Sequence, residues 1–284
     1  PMDTGRTIFH TVPQYQPLLH QLGLTPEAVF THPDIKPWRT LPDRENCLLD
    51  TSLPGGQHVR WHVKRYPAGT DSPAAAEAAG LQLLVRNRIP TAPLVAHGSL
   101  PDGRSFLILD DLAGYTPADK LLAAGVADAA GAPGRPLDVS TLLDAVTDLA
   151  SDLHNAGLHH RDLYLCHFLV RPDPFDVRLI DAARVKRLPP FPLKMRWVVK
   201  DLAQLWYSTL AHDQITDAHR QAILDRYTRR TTFPGCQLFR LRQAVQSKSN
   251  RIARHDAKLN ARQPNRNISI PTTARRDDGC HTSS

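Results

Sequence analysis

The sequence predicts an α+β fold with two lobes, a small N-terminal lobe made mainly of strands with one helix and a larger, mainly helical C-terminal lobe. Residues 59–66 alternate between apolar and polar side chains, as a half-buried strand does. Apolar side chains between Val139 and Ala156 recur at helical spacing, which predicts a long amphipathic helix. Beyond Pro189 and Pro190 the patterns are mainly helical. A chain of 284 residues is long enough for one such two-lobed domain.

The small lobe is predicted to contain two pairs of strands and one helix. Residues 48–66 hold a Pro-Gly-Gly turn between two segments that favour strands. A helix is expected over residues 73–88, because Pro73 suits a first helical turn and the segment is rich in Ala, Glu and Leu. Residues 94–97 and 105–109 have the character of further short strands.

The large lobe is predicted to place a short β-hairpin between helices. A segment rich in Ala, Gly and Pro at residues 123–136 is interpreted as a loop, and the long amphipathic helix follows it. A second loop at residues 159–166 leads into the hairpin. The hairpin strands are expected at residues 168–170 and 177–180, and the later helices at residues 200–210, 217–227 and 239–259.

These patterns divide the chain into four segments. Residues 1–45 are expected to form an N-terminal extension, residues 46–112 the small lobe and residues 113–259 the large lobe. Residues 260–284 are polar, contain few large apolar groups, and are expected to form a disordered basic tail.

Composition indicates the compartment and the kind of partner. No apolar run is long enough to cross a bilayer, and the first ten residues lack the apolar core of a signal peptide. The four cysteines form no C-x-x-C pair, which favours a reducing, cytoplasmic compartment. Most of the formal net charge of +7 falls after Lys248. A basic end of this kind favours anionic partners such as a membrane surface or nucleic acid, and a solvated tail without a partner is the alternative.

Two carboxylates are predicted to meet at one end of the hairpin. Asp162 lies in a His-Arg-Asp sequence in the loop after the long helix, and Asp181 directly follows the second hairpin strand. In phosphoryl transfer, one carboxylate accepts the proton of the acceptor hydroxyl and another holds Mg²⁺ against the nucleotide phosphates. The two segments are similar to the H-R-D-L-x-x-x-N and D-F-G motifs of protein kinases.

Further kinase-like residues occur upstream in the expected order. Lys64 lies on a strand where kinases place the lysine that contacts the nucleotide phosphates, and Glu77 lies on the following helix, where its ion-pair partner would be. Asp110 and Asp111 follow a strand at the position of the kinase hinge. The backbone there is expected to hold adenine, with both side chains in solvent.

One segment points to a particular family. Residues 159–169, with the sequence H-H-R-D-L-Y-L-C-H-F-L, resemble the signature loop of the lipopolysaccharide kinase family. That family has His rather than Asn five residues after the loop Asp, and His167 takes this place. An Ile-Asp pair followed by Arg184, and the pair Lys200-Asp201 on a later helix, match two further motifs of the family.

The resemblance extends over residues 48–210 and implies a protein-kinase-like fold that uses ATP and Mg²⁺. It implies transfer of the γ-phosphate to a sugar hydroxyl of the lipopolysaccharide core, heptose or Kdo, or of a related glycolipid. The partner would then be a lipid-linked saccharide, with no nucleic acid expected. A cytoplasmic location fits this acceptor, with or without peripheral contact at the cytoplasmic face of the inner membrane.

The resemblance also implies a role for each site residue. Asp162 would act as the base, Asp181 as a metal ligand and Lys64 as the phosphate contact. Glu77 would orient Lys64. His167 would stand at the second metal position or, because imidazole is a poor ligand for Mg²⁺, would orient Asp162 or the substrate instead.

Two other functions stay open. A protein kinase is disfavoured because no Ala-Pro-Glu motif follows Asp181. A catalytically weak binding protein is favoured by two absences, since no G-x-G-x-x-G precedes Lys64 and no glycine follows Asp181 in its Asp-Ala-Ala sequence. The retained lysine and carboxylates oppose it.

Overall fold

A computed structural model describes residues 5–69, 72–124 and 138–262 of the chain. Most of the loop predicted at residues 123–136, and all of the predicted tail beyond residue 262, lie outside these ranges.

The chain divides into two compact units. The first holds residues up to 75 together with residues 93–111, and the second holds residues 76–92 and 112–261. The lobe boundaries expected from the sequence stay predictions.

A six-stranded antiparallel sheet is the centre of the first unit. Its strands are β1 (Ile8–Thr11), β2 (Ile35–Leu41), β3 (Arg44–Ser52), β4 (His58–Tyr66), β5 (Leu94–Ser99) and β6 (Ser105–Asp110). The strand order is β1-β5-β6-β4-β3-β2, and every pairing is antiparallel. Strands β1 and β2 come from the segment expected to be an N-terminal extension, and both pair within this sheet.

The core of the first unit lies on one face of this sheet. Trp61 and Phe106 are its largest fully buried side chains. Two short helices, α1 (Gln16–Gln21) and α2 (Ala28–Thr31), add Leu19 and Val29 to the same cluster. Burial of such side chains is the main source of stability for a unit of this size.

The second unit is mainly helical. Its helices are α3 (Pro73–Arg86, of which the first three residues belong to the first unit), α4 (Ala118–Ala123), α5 (Val139–Asn155), α6 (Leu193–Thr209), α7 (Asp217–Arg230), α8 (Gly235–Leu238) and α9 (Leu241–Arg262). Its strands are β7 (Thr116–Pro117), β8 (Leu158–His159), β9 (Phe168–Arg171), β10 (Asp176–Leu179) and β11 (Lys186–Arg187). Strands β9 and β10 form the predicted hairpin, which β7 extends, and β11 pairs with β8.

The helices of the second unit share a core that fixes α6. Leu202 and Trp206 of α6 pack with Tyr227 of α7 and Val245 of α9. The predicted helices and hairpin are present, and the α+β class is confirmed. No helix within the described ranges has both the length and the apolar character required to cross a membrane.

Helix α3 lies against the turn that follows the hairpin. A Cβ atom added to Gly80 would lie 1.9 Å from the carbonyl oxygen of Ala182, so only glycine permits this approach. The segment after the helix is joined to β10 as well. Thr91 donates its hydroxyl to the carbonyl of Leu179 at 2.6 Å, and the amide of Leu179 donates to Pro90 at 2.9 Å. These contacts fix the backbone that precedes and follows Asp181.

We expect Gly80→Ala to destabilise the protein by about 2 kcal/mol or more, because the added methyl group must displace backbone rather than a flexible side chain. Helix propensity alone would instead stabilise the protein by about 1 kcal/mol, because alanine favours a helix more than glycine does. Urea denaturation measures the difference. The exposed neighbour provides the control, since Ala79→Gly should lose only the propensity term. A Gly80→Ala variant as stable as the wild type would contradict the close approach.

Candidate active site

One buried carboxylate accepts hydrogen bonds from the backbone of the loop that carries Asp162. Asp201 of α6 is fully buried and accepts the backbone N–H of His160 at 2.7 Å and of Arg161 at 2.8 Å. His154 of α5 donates a ring N–H to the same carboxylate at 3.3 Å. Burial alone would raise the pKa of Asp201, but the bond from His154 and the loop amides outweigh it and hold the pKa below its usual value. The loop is therefore built on an ionised, buried group.

Other side chains of α6 bind the same loop. Lys200 and Gln204 donate to the carbonyl oxygen of Arg161 at 2.8 and 2.9 Å. The amide of Leu163 donates to the Gln204 side chain at 3.2 Å, and that of Leu165 donates to Ser208 at 3.1 Å. Arg161 itself has a left-handed φ of 74°, a conformation that costs a residue with a side chain about 1 kcal/mol or more. The bonds from α6 hold it in that conformation.

Sequence reasoning gave no role to these α6 residues. The resemblance marks Lys200 and Asp201 only as a family motif, and it does not include Gln204 or Ser208. The available signal was their spacing, because residues 200, 204 and 208 recur at helical spacing and lie on one face of α6.

Asp162 points toward an arginine from the turn after Asp181. One nitrogen of Arg184, Nη1, lies 3.0 and 3.1 Å from the two carboxylate oxygens of Asp162. The carboxylate is partly exposed, and its remaining lone pairs are available to a further donor.

Asp181 occupies a strained position at the end of the hairpin. Its φ is 61°, in the left-handed region that residues with a side chain seldom adopt. Both backbone polar groups of the preceding residue, Ile180, form hydrogen bonds. Its amide donates to the carbonyl of His167 at 2.9 Å, and its carbonyl accepts from Nε2 of His160 at 3.0 Å. Strained backbone of this kind clusters at functional sites.

His160 has a structural role in this arrangement. It is fully buried, donates from Nε2 to Ile180, and leaves Nδ1 without a partner among the described residues. Burial lowers its pKa, so the ring is neutral at physiological pH.

His167 bridges the backbone of Asp162 and the carboxylate of Asp181. Its Nδ1 donates to the backbone carbonyl of Asp162 at 2.6 Å, and its Nε2 lies 3.4 Å from the Asp181 carboxylate. Burial opposes the charged ring, but Cys166, Asp181 and the Asp162 carbonyl outweigh it and raise the pKa of His167 to about 9. His167 therefore lies against both Asp162 and Asp181, and the roles predicted for these three residues stay predictions.

The other two predicted site residues lie on separate elements. Lys64 is on β4 of the first unit, opposite Asn46 of β3 and Leu107 of β6. Glu77 is on α3 in the second unit and is only 1% exposed, which rules out a solvated surface position. Glutamate is almost never buried to this degree without a partner.

The hinge prediction was wrong for the side chains. Asp110 accepts the hydroxyl of Tyr15 at 2.8 Å, and Asp111 lies 2.7 Å from Nε2 of His62, so both are paired rather than solvated. Their backbone amides also have partners, since they donate to the carbonyls of Pro93 and Arg60. Aspartates after a strand were assigned to solvent because the sequence does not show which side chains the sheet brings beside them.

The donor set around Asp181 suits Mg²⁺ in part. Carboxylate oxygen is the ligand that Mg²⁺ prefers, and the ion usually keeps several waters and binds through one or two carboxylates plus substrate phosphates. Asp181 fits that requirement, whereas the His167 ring would have to give up its Nε2 proton before it bound a metal. Among the described residues there is no cluster of three or more His, Cys, Asp or Glu that would form an all-protein metal site.

Comparison with known proteins shows the family of the chain. A profile of the lipopolysaccharide kinase (Kdo/WaaP) family matches residues 57–227, which is more than half of the chain. The chain belongs to this family. The match includes Lys64, Glu77, Asp162, His167 and Asp181.

Individual members of the family match over shorter segments. The lipopolysaccharide core heptose(I) kinase WaaP of Pseudomonas aeruginosa is 39% identical over 84 residues, which are 28% of this chain and 31% of that protein. A WaaP of Escherichia coli is 33% identical over 112 residues, which are 37% of this chain and 40% of that protein. The chain therefore aligns with about a third of the length of these relatives.

A solved structure is similar over much more of its length. The structure of WaaP in complex with acyl carrier protein matches with a TM-score of 0.62 and 25% identity, covering 88% of this chain and 98% of that one. The kinase-like fold expected from the sequence is thereby confirmed.

We expect Asp201→Asn to lower the free energy of unfolding at neutral pH by about 3 kcal/mol or more, because the loop amides and His154 lose a buried charged acceptor. The folded-state pKa is lowered, so this stabilisation is complete above the unfolded pKa of about 4 and is lost as the pH falls through the folded value. Urea denaturation between pH 7 and pH 3 should show that the difference in the free energy of unfolding between wild type and variant becomes smaller as the pH falls. Asp225→Asn, which removes an exposed ion pair with Arg242, is the matched control. A constant gap at every pH would contradict the assignment.

Proposed function

We propose that the chain is an ATP-dependent kinase that transfers the γ-phosphate to a sugar hydroxyl of the lipopolysaccharide core or of a related glycolipid. The observation that carries this proposal is the joining of Asp162 and Asp181 through His167 in a member of the lipopolysaccharide kinase family. Both kinase carboxylates lie on short segments that are fixed by hydrogen bonds on either side.

Asp162 is proposed as the base. Its carboxylate would accept the proton of the attacking sugar hydroxyl as the oxygen bonds to phosphorus. Arg184 holds both carboxylate oxygens and so fixes the direction of the group before the acceptor binds. A side chain fixed in this way loses little freedom when the reaction begins.

Asp181 is proposed as the metal ligand. Bound Mg²⁺ supplies neutralisation of the phosphate charge, and the strained backbone of Asp181 fixes where its carboxylate can hold the ion. Lys64 is proposed as the phosphate contact and Glu77 as the residue that orients it. The burial of Glu77 supports a structural or pairing role over a solvated one.

The acceptor and the location of the protein are proposed from its relatives. Relatives named heptose(I) kinases support a lipid-linked saccharide as the acceptor, and a cytoplasmic location, with or without peripheral contact at the inner membrane, suits such a substrate. The solved relative is a complex with acyl carrier protein, which makes an acyl carrier protein a candidate partner for this chain as well.

We expect Asp162→Asn to reduce phosphate transfer from ATP by about 10³-fold, because the amide keeps the shape of the side chain but does not accept a proton. The measurement is transfer of labelled phosphate to core lipopolysaccharide in the presence of Mg²⁺. The exposed Asp225→Asn variant should keep full activity. Equal rates for wild type and Asp162→Asn would refute the kinase assignment, and labelling of protein instead of lipid would favour a protein kinase.

The two roles predicted for His167 give different results in His167→Asn. Because the ring already contacts oxygens of Asp162 and Asp181, we expect the orienting role, in which activity falls but the ratio of Co²⁺-supported to Mg²⁺-supported rates stays constant. A metal-bound imidazole would instead favour Co²⁺, and its loss would lower that ratio by about tenfold. Rates with each metal measure this, and the exposed His255→Asn variant is the control. A lowered ratio would place His167 at the second metal position.

A further inference from the structure

A basic pocket lies beside the proposed base, within the second unit. It has a volume of about 610 Å³, and its wall includes Trp197 and five cationic side chains. These cations are Arg161, Arg196, Lys200, Lys248 and Arg251. The first three come from the catalytic loop and α6, and the last two come from α9.

Most of the positive charge of this pocket has no acid beside it. No acidic side chain lines the pocket, and within the described residues Arg196, Lys248 and Arg251 form no ion pair. Elsewhere in the unit arginines are paired, as Arg226 and Arg230 are with aspartates of α5. Five positive charges around one concavity repel each other, so an anion bound there would relieve an unfavourable interaction.

Trp197 brings several of these cations together. The guanidinium of Arg161 lies 4.7 Å from its ring centre, that of Arg196 5.7 Å and the Lys200 ammonium 5.8 Å. His159 stacks on the same ring at 4.8 Å. Contacts of this kind hold cations near an aromatic ring without using their N–H donors. Lys200 also donates to the carbonyl of Arg161, whereas Nε of Arg161 is buried without a hydrogen-bond partner among the described residues.

The pocket adjoins the reacting group. Arg161 directly precedes Asp162, and its carbonyl accepts the ammonium of Lys200. Burial lowers the pKa of Lys200, and Arg184 and Asp162 also act on it, so this lysine of the pocket lies within electrostatic reach of the ion pair that holds the base. A ligand group in the pocket would thus lie near a hydroxyl that reaches Asp162.

We propose that the basic pocket binds an anionic substituent, a phosphate or a carboxylate, carried by the acceptor saccharide near the hydroxyl that is phosphorylated. This inference rests on the proposed function. A cavity of this volume suits a sugar residue with its charged group. The cations surround a concavity rather than spreading over a flat surface, which favours a small anion over a bilayer surface or a partner protein. The pocket would then select the acceptor by its charge as well as by its shape.

The double variant Arg196→Ala/Arg251→Ala tests the pocket without touching the proposed catalytic residues. We expect the KM for detergent-dispersed lipopolysaccharide to rise about tenfold or more, with the KM for ATP unchanged, because charge-assisted hydrogen bonds to the acceptor are lost. The matched control is Lys120→Ala/Arg229→Ala, which removes two exposed cations of the same unit. An unchanged KM for the acceptor in the first variant would overturn the proposal.

The acceptor provides the second half of the test. Lipopolysaccharide stripped of its phosphates, or with its carboxylates reduced, should bind the wild type more weakly, and the double variant should not distinguish it from the intact acceptor. Whichever treatment has this effect identifies the anion. If the variant weakens binding only to anionic vesicles or only to acyl carrier protein, with the acceptor KM unchanged, the pocket serves another partner and the proposal fails.

Direct binding separates the pocket from the proposed activity. Pyrophosphate added to the full chain without ATP should alter tryptophan fluorescence through Trp197, and the double variant should bind it at least tenfold more weakly. No difference in pyrophosphate binding between wild type and double variant would overturn the anion pocket. A second outcome separates the two proposals: the double variant loses pyrophosphate binding, but the wild type transfers no phosphate to lipopolysaccharide. That result would support the anion pocket and would overturn both the proposed function and the assignment of the pocket to the acceptor.

Discussion

The buried carboxylate of Asp201 is the constraint on which the site depends. An ionised group in a protein interior is tolerated only when hydrogen-bond donors surround it, and here the donors are the backbone of the catalytic loop itself. The same interaction that satisfies the acid therefore determines the path of the loop. Helix α6 is in turn fixed by the apolar core that it shares with α7 and α9, so the position of Asp162 traces back to ordinary side-chain packing.

The residues around the two proposed functional carboxylates form a continuous network of contacts. Arg184 holds Asp162, the backbone of Asp162 holds His167, and His167 faces Asp181, which precedes Arg184 by one short turn. Each contact limits the others, because moving one residue breaks bonds at its neighbours. Precise placement of this kind is what positions a base and a metal ligand for a single transfer step.

The sequence predicted the parts of this structure that depend on local pattern. The helices, the hairpin and the order of Lys64, Glu77, Asp162 and Asp181 follow from periodicity and motif spacing. The contacts of α6 with the loop were not foreseen, because they join residues about 40 positions apart and a polar residue on a helix gives no sign of its partner. The same reason explains the hinge aspartates, whose partners come from distant strands and from the N-terminal segment. The pairing of β1 and β2 in the sheet was also missed, since edge strands from an N-terminal segment have weak local signals.

The contact between Gly80 and Ala182 has a mechanical consequence. Because Gly80 has no side chain, the backbone of helix α3 is in direct contact with the backbone of the turn that follows Asp181. Tightly packed groups do not deform gradually, so a push on α3 would be transmitted to this turn rather than absorbed. Glu77 stands one helical turn before Gly80, and it would travel with the same rigid piece. The glutamate and the aspartate proposed to hold the metal would then be displaced together.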